Sequence, residues 1–313
     1  MFKSLTNIFR VQELRDRILY TVMAILVYRI GSHIPTPGID PTALLEFLSS
    51  AQGGGGLLTI MDLFSGGALF RFSILALGIM PYISASIIMQ LLGVVIPALE
   101  RMQKEGESGR KKINQYVRYL ALVLCIIQSA AMASWIQSIN EGAMIYMKPG
   151  LGFILIVVAT ATAGTMFLMW LGDQITERGL GNGISVIIFA GIVARIPAGV
   201  YDMIQKKDSE YLNSLVIVLF FIIFAIVIFC VVYEESGQRR IPVQYAKRVV
   251  GRKVFGAQST HIPFKINPSG VIPIIFASAL MAIPAQIFIA FSSFLIFSST
   301  SFSKPGGYDF FLE

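Results

Sequence analysis

Of 313 residues, 55% are hydrophobic and 14% are charged, whereas a soluble domain carries about a quarter of its residues as Asp, Glu, Lys or Arg. That balance excludes an ordinary water-soluble domain and makes lipid the solvent. A formal net charge of +7 would suit nucleic acid only if the basic residues formed one stripe, and here they are spread over short segments between apolar blocks.

In chain order, residues 1–17 are amphipathic, with Phe2, Leu5, Ile8 and Phe9 as the apolar face and no small-residue cleavage site. They predict an interfacial helix lying on the membrane and not a removable signal. A hydrocarbon core about 30 Å thick takes roughly 20 helical residues to cross, and seven apolar blocks of that order follow: 18–34, 68–99, 119–139, 151–172, 184–200, 214–233 and 269–297. Before the second, glycines 53 to 56 lead into LLTIMDLFSGG, which predicts a half-helix over 57–70. Broken backbone at membrane depth is tolerated only where it lines a cavity or is buried in protein, so this stretch is expected inside the bundle. Pro81 is expected to kink the helix after it, and block seven carries Pro273 and Pro284. Two interrupted helices in comparable positions point to a functional axis.

Lys and Arg accumulate in cytoplasmic segments. With the amino terminus inside, eighteen of the 25 basic residues fall in inner segments, and Lys148, Lys206, Lys207 and Lys304 in outer ones. Arg29, Arg71 and Arg195 sit near the outer ends of their blocks, where long side chains are expected to snorkel. Cys125 and Cys230 lie inside apolar blocks and read as small hydrophobes.

No phosphate loop, H-E-x-x-H or G-x-S-x-G motif occurs, so an enzyme is not expected. His33 and His261 fall on opposite sides of the membrane and cannot share a metal, and no cofactor is implied. An ion-coupled transporter needs acidic or histidine residues at mid-membrane, and none of the blocks has Asp or Glu at its centre. Asp62 is the one acidic residue near an apolar stretch, and it reads equally as interfacial. Hydroxyls and amides such as Ser84, Ser86, Gln90 and Gln128 remain. An apolar lining of this kind suits a bulky, varied chain better than one solute, because it seals by dewetting.

Several long stretches resemble the SecY family of protein-translocation channels. They read SGGALFRFSILALGIMPYISASIIMQLL at 65–92, KEGESGRKKINQYVRY at 104–119, GTMFLMWLGDQITERGLGNGIS at 164–185 and YAKRVVGRKVFGAQSTHIPFKIN at 245–267, with RIGSHIPTPGID at 29–40 and SGVIPIIFAS at 269–278. The resemblance implies an all-α, polytopic membrane helix bundle of two inverted five-helix halves. The first half would occupy 18–200, and 201–313 would form a partial second half with a cytoplasmic loop at 234–268. A waist ring would draw on Ile79, Ile83, Ile188 and Ile275, and the half-helix would be the plug, through Leu57, Ile60, Met61, Asp62, Leu63 and Phe64. A lateral gate would use Ser84, Gln128 and Asn267. Arg239, Arg240, Lys247, Arg248, Arg252 and Lys253 would dock the ribosome or the motor ATPase SecA. SecE and SecG would be membrane partners, and secretory polypeptides, their signal sequences and membrane lipid would be the ligands, in a bacterial inner membrane.

From the residues alone, an inverted-repeat secondary transporter remains the alternative. Family members continue through an eighth to tenth helix, whereas this sequence stops at GGYDFFLE. A truncated member is the expectation, with a pore too incomplete to seal or conduct alone.

Overall fold

The computed structural model describes residues 11–49, 62, 64–138, 146, 150–205, 214–243, 248–250, 253–255, 260–267 and 277. The chain divides into two units, Met1–Ala198 with Phe276–Glu313, and Gly199–Ile275.

In the first unit, α1 (Gln12–Gly31) runs unbroken from the charged stretch through block one, so Gln12 to Arg17 are its opening turns, while Phe2, Leu5, Ile8 and Phe9, the apolar face expected of an interfacial helix, lie outside the described residues. A short α2 (Pro41–Ser49) follows. Asp40 starts it, accepting hydrogen bonds from Thr42 N (2.9 Å), Thr42 Oγ1 (2.6 Å) and Ala43 N (3.4 Å). The bond from the Thr42 hydroxyl does most to hold the Asp40 carboxyl below its usual range, followed by one from the Tyr146 side chain and then the Thr42 backbone N–H. Asp followed by Pro at the first helical position is a start signal present in the sequence, though no apolar block marked it.

Block two departs furthest from expectation. Residues 66–79 run through successive turns, with positive φ at Gly66 (67°), Gly67 (88°), Phe72 (42°) and Gly78 (57°). The helix, α3 (Met80–Val95), begins only at Met80. Backbone pairing explains why: Thr36 N donates to Phe72 O at 2.9 Å and Ile74 N to Ile34 O at 2.9 Å, which binds 72–74 to the 34–36 loop instead of to a helical ladder. Pro81 therefore does not kink a helix. It occupies the first turn, where a missing N–H costs nothing. At Pro97 the chain turns by 104° into α4 (Pro97–Lys104).

Next come α5 (Glu107–Ser138), α6 (Leu151–Arg178), α7 (Gly183–Val193) and α8 (Ile196–Gln205). The Asn182 side chain caps α7, accepting from Ile184 N (3.0 Å) and Ser185 N (3.4 Å). Block five breaks between α7 and α8, just before Pro197, a residue that cannot donate to a ladder. Packing pairs α3 with α5, α5 with α6, α6 with α7, and α1 with α6. Small residues permit the closest approaches: a Cβ at Gly164 of α6 would collide with the Ile74 carbonyl, and one at Gly183 with the Gly172 carbonyl.

In the second unit, α9 (Ser214–Glu235) is apolar and exposed along almost all of the length described. Behind it, 234–268 is not a plain loop. Strand β1 (Gln238–Val243) pairs antiparallel with β4 (Thr260–Lys265), and β2 (Arg248–Val250) with β3 (Lys253–Phe255). Alternation in RVVGRKVF and THIPFK carried that signal, masked in an all-α reading by the density of basic residues.

Among the described residues, Glu107–Gln137, Leu151–Arg178, Gly183–Gln205 and Leu215–Glu235 are long and apolar enough to cross a membrane, and the bent pair α3–α4 would make a fifth. Apart from Ala277, block seven lies outside the described residues.

Candidate functional site

The turn segment before α3 is held from several sides. Asp62 is fully buried. Its Oδ1 accepts from Phe70 N (3.0 Å) and Ser65 Oγ (3.4 Å), while its carbonyl accepts from Gly67 N (3.1 Å). Oδ2 lies 2.6 Å from Arg195 Nη1, out of hydrogen-bonding alignment, so the two are held as charges. The Arg195 guanidinium also stands 5.8 Å over the Phe70 ring. From α1, Tyr28 OH donates to Ser65 O (3.0 Å) and Arg29 Nη1 to Gly66 O (3.3 Å). Gly66 lies against Gly191 of α7, where a Cβ would come within 2.9 Å of the Gly191 Cα.

Two expectations change as a result. Asp62 is not interfacial, because its carboxylate is enclosed and paired. Arg29 and Arg195 do not simply snorkel, because both reach the turn segment. Removing one member of a buried pair costs about 3–5 kcal/mol when it leaves the other charge uncompensated. Phe64 is half-buried, while Leu57, Ile60, Met61 and Leu63 lie outside the described residues.

The segment runs directly into the expected ring. Ile79, the residue before α3, is 5% exposed. It packs in one cluster with Ala24, Tyr28, Leu75, Leu168, Leu171, Ile175 and Ile187, with Ile83 half-buried against the same cluster. Ile83 N donates to Ile79 O at 3.1 Å, so the pair sits one turn apart. Ile188 is also buried, on α7 beside Ile187. All three described isoleucines are turned inward, and Ile275 lies outside the described residues.

Ser84, one residue beyond Ile83, is buried with its Oγ unpartnered. Gln128 of α5 is half-buried. Asn267 follows β4 and is half-buried within the second unit. Arg239 and Arg240 are exposed on β1, opposite Phe264 and Pro263. Arg248 pairs with Phe255 and Lys253 with Val250 across the β2–β3 hairpin, whereas Lys247 and Arg252 lie outside the described residues. A second charged pair, Arg118–Asp173 at 2.6 Å, ties α5 to α6.

The sequence reading missed Tyr28, Arg29 and Arg195 as anchors. A signal existed: an ionisable residue within a membrane block ordinarily has a polar partner, and Asp62 and Arg195 both stand in apolar surroundings.

The SecY sequence profile matches residues 73–308. Over 275 residues the chain is 53% identical to protein translocase subunit SecY of Buchnera aphidicola subsp. Acyrthosiphon kondoi, covering 88% of this chain and 77% of that protein. The chain belongs to the SecY family. Against SecY of Escherichia coli strain K12 identity is 52% over 275 residues, and against that of Aquifex aeolicus strain VF5 it is 47% over 290 residues. These alignments span 62% and 67% of those SecY proteins, and 88% and 92% of this chain. Among solved structures, one described as the structure of a protein conducting channel superposes with a TM-score of 0.62 at 21% identity, covering 90% of this chain and 59% of that one. Sec61 from a canine ribosome–channel complex gives 0.60 at 20% identity, covering 90% and 60%. At those identities the likeness is one of fold, and the SecY architecture is the fold of this chain.

Proposed function

We propose that this chain is pore-forming sequence of a Sec protein-conducting channel in a bacterial inner membrane, with its amino terminus in the cytoplasm. The observation that carries this reading is a non-helical segment, residues 66–79, tied to α1 and α7 and leading straight into the inward-turned Ile79 and Ile83. Backbone of that kind belongs in a membrane protein only against other protein or a cavity. Kinship at about half identity with protein translocase subunits supports it.

The conduit is passive. Ile79, Ile83, Ile188 and Ile275 form the waist, whose apolar side chains exclude water and ions by dewetting without gripping any one sequence. The segment 57–70, with Leu57, Ile60, Met61, Asp62, Leu63 and Phe64, stoppers it and moves aside when an unfolded chain enters. Ser84, Gln128 and Asn267 belong to a side gate. The unpartnered Ser84 hydroxyl is a group that gains a hydrogen bond when a helix interface opens. SecE and SecG complete the membrane complex.

The driving force comes from outside, through SecA or the ribosome bound to the basic hairpins. Arg239, Arg240, Lys247, Arg248, Arg252 and Lys253 concentrate positive charge there, a surface suited to RNA phosphates or an acidic protein face. In proteoliposomes of the assembled complex, an unfolded secretory precursor should become protease-protected when SecA and ATP are present. Reversing Arg252 and Lys253 to glutamate should slow that about tenfold through weaker docking. Unaltered transport in the variant would leave the hairpin charges merely topogenic. Ion-coupled solute uptake without precursor transport would replace the channel by a transporter.

A further inference from the structure

The ion pair between Asp62 and Arg195 stands apart from the apolar machinery of the channel. It joins a carboxylate on the turn segment to a guanidinium just past the carboxyl end of α7, in the turn before α8, at 2.6 Å, with side-chain exposures of 0% and 35%. No other ion pair among the described residues has a fully buried member. The carboxylate's second oxygen is already engaged within its own segment, by Phe70 N and Ser65 Oγ. Arg195 is thus the contact that ties this carboxylate to α7. The guanidinium also lies over Phe70 and against Gly67, where a Cβ would meet its Nε at 3.7 Å, so it clasps both ends of the turn.

We infer that Asp62 and Arg195 form an electrostatic latch, which holds the stopper segment against α7 and sets how readily the channel opens. The inference rests on the channel reading above. Its physics lies in the unequal burial of the two partners. With the segment seated, Asp62 has no water and depends on Arg195 for compensation. With the segment displaced, the carboxylate is hydrated and needs no partner. Removing the arginine charge therefore raises the free energy of the seated state alone, and the equilibrium moves toward displacement. Removing the carboxylate is milder, because the partly exposed guanidinium can turn to water.

This asymmetry gives the latch a signature that loosened packing would not share. In planar bilayers holding the assembled complex without substrate, Arg195→Gln should raise resting ion conductance at least about tenfold. Asp62→Asn should raise it less. The double variant Asp62→Asn with Arg195→Gln should fall back to the Asp62→Asn level, since no unpaired buried charge remains. Arg195→Lys, which keeps the charge, should stay near the unmodified protein.

Equal, additive increases from the two single variants would overturn the latch in favour of a packing role. If the charge variants conduct like the unmodified protein while Ile83→Asn leaks, the latch falls and the channel reading stands. If none of them leaks, Ile83→Asn included, the channel reading falls and takes the latch with it. Should Arg195→Gln fail to accumulate in the membrane, Asp62→Asn decides: resting conductance above the unmodified protein supports the latch, and unchanged conductance overturns it.

Discussion

Replacing Ile79 and Ile83 together with asparagine is expected to raise the resting ion conductance of the assembled channel by about tenfold or more, because amides hold the water that branched apolar side chains expel. The two positions contribute differently. Ile79 is 5% exposed and packed among residues of α1, α6 and α7, so an amide there also burdens the fold. A buried polar group without partners costs about 1–3 kcal/mol by mutational measures. Ile83 is half-buried at the edge of the same cluster, and Ile83→Asn separates loss of the seal from loss of the fold. Single-channel recording in planar bilayers without substrate reads the effect. A correctly assembled double variant with unmodified conductance would remove these residues from the waist.

The second large effect concerns the close approach of α6 to the turn segment. Gly164→Ala is expected to destabilise the membrane-inserted fold by about 1–3 kcal/mol, the usual range for overpacking. The added Cβ would collide with the Ile74 carbonyl and press on Leu75 at 3.2 Å. Ile74 cannot simply yield, because its N–H is bonded to Ile34 O. Gly152, two residues into the same helix, has open space where a Cβ would go. Gly152→Ala should therefore be neutral, or stabilising by up to about 1 kcal/mol through helix propensity. Thermal unfolding in detergent compares the two. Equal behaviour would mean that α6 and the turn segment do not meet as closely as the structure places them.

Much of this architecture is written in local chemistry, and its legibility varies with how local the cause is. Blocks three, four and six map onto α5, α6 and α9 because helix length and apolar composition are properties of the segment itself. Block two misleads for the opposite reason. Residues 68–79 are as apolar as a membrane helix, and what unwinds them is pairing with residues 34–36, some forty positions earlier. Pro81, read alone, suggests a kink, but only the non-helical start before Met80 turns it into a helix opener. The basic hairpins were hidden by their own charge.

At the site, the inward position of Ile79, Ile83 and Ile188 was expected from the family resemblance and not from pattern, since isoleucine fills membrane helices everywhere. Asp62 and Arg195 were both visible as anomalies in apolar surroundings. Their pairing was not, because a sequence separation of 133 residues divides two side chains that the fold brings to 2.6 Å. What the sequence does carry is the requirement that each charge in an apolar stretch have a partner, without saying which.

A photo-crosslinking side chain placed at Ile83, combined with a secretory chain stalled halfway through the assembled complex, tests the conduit most directly. The stalled polypeptide should crosslink at position 83, and a probe on the exposed side of α6, at Leu155 (67% exposed), should stay dark. Crosslinking at Leu155 with none at Ile83 would mean that the translocating chain does not pass between these helices, and the conduit would have to lie elsewhere.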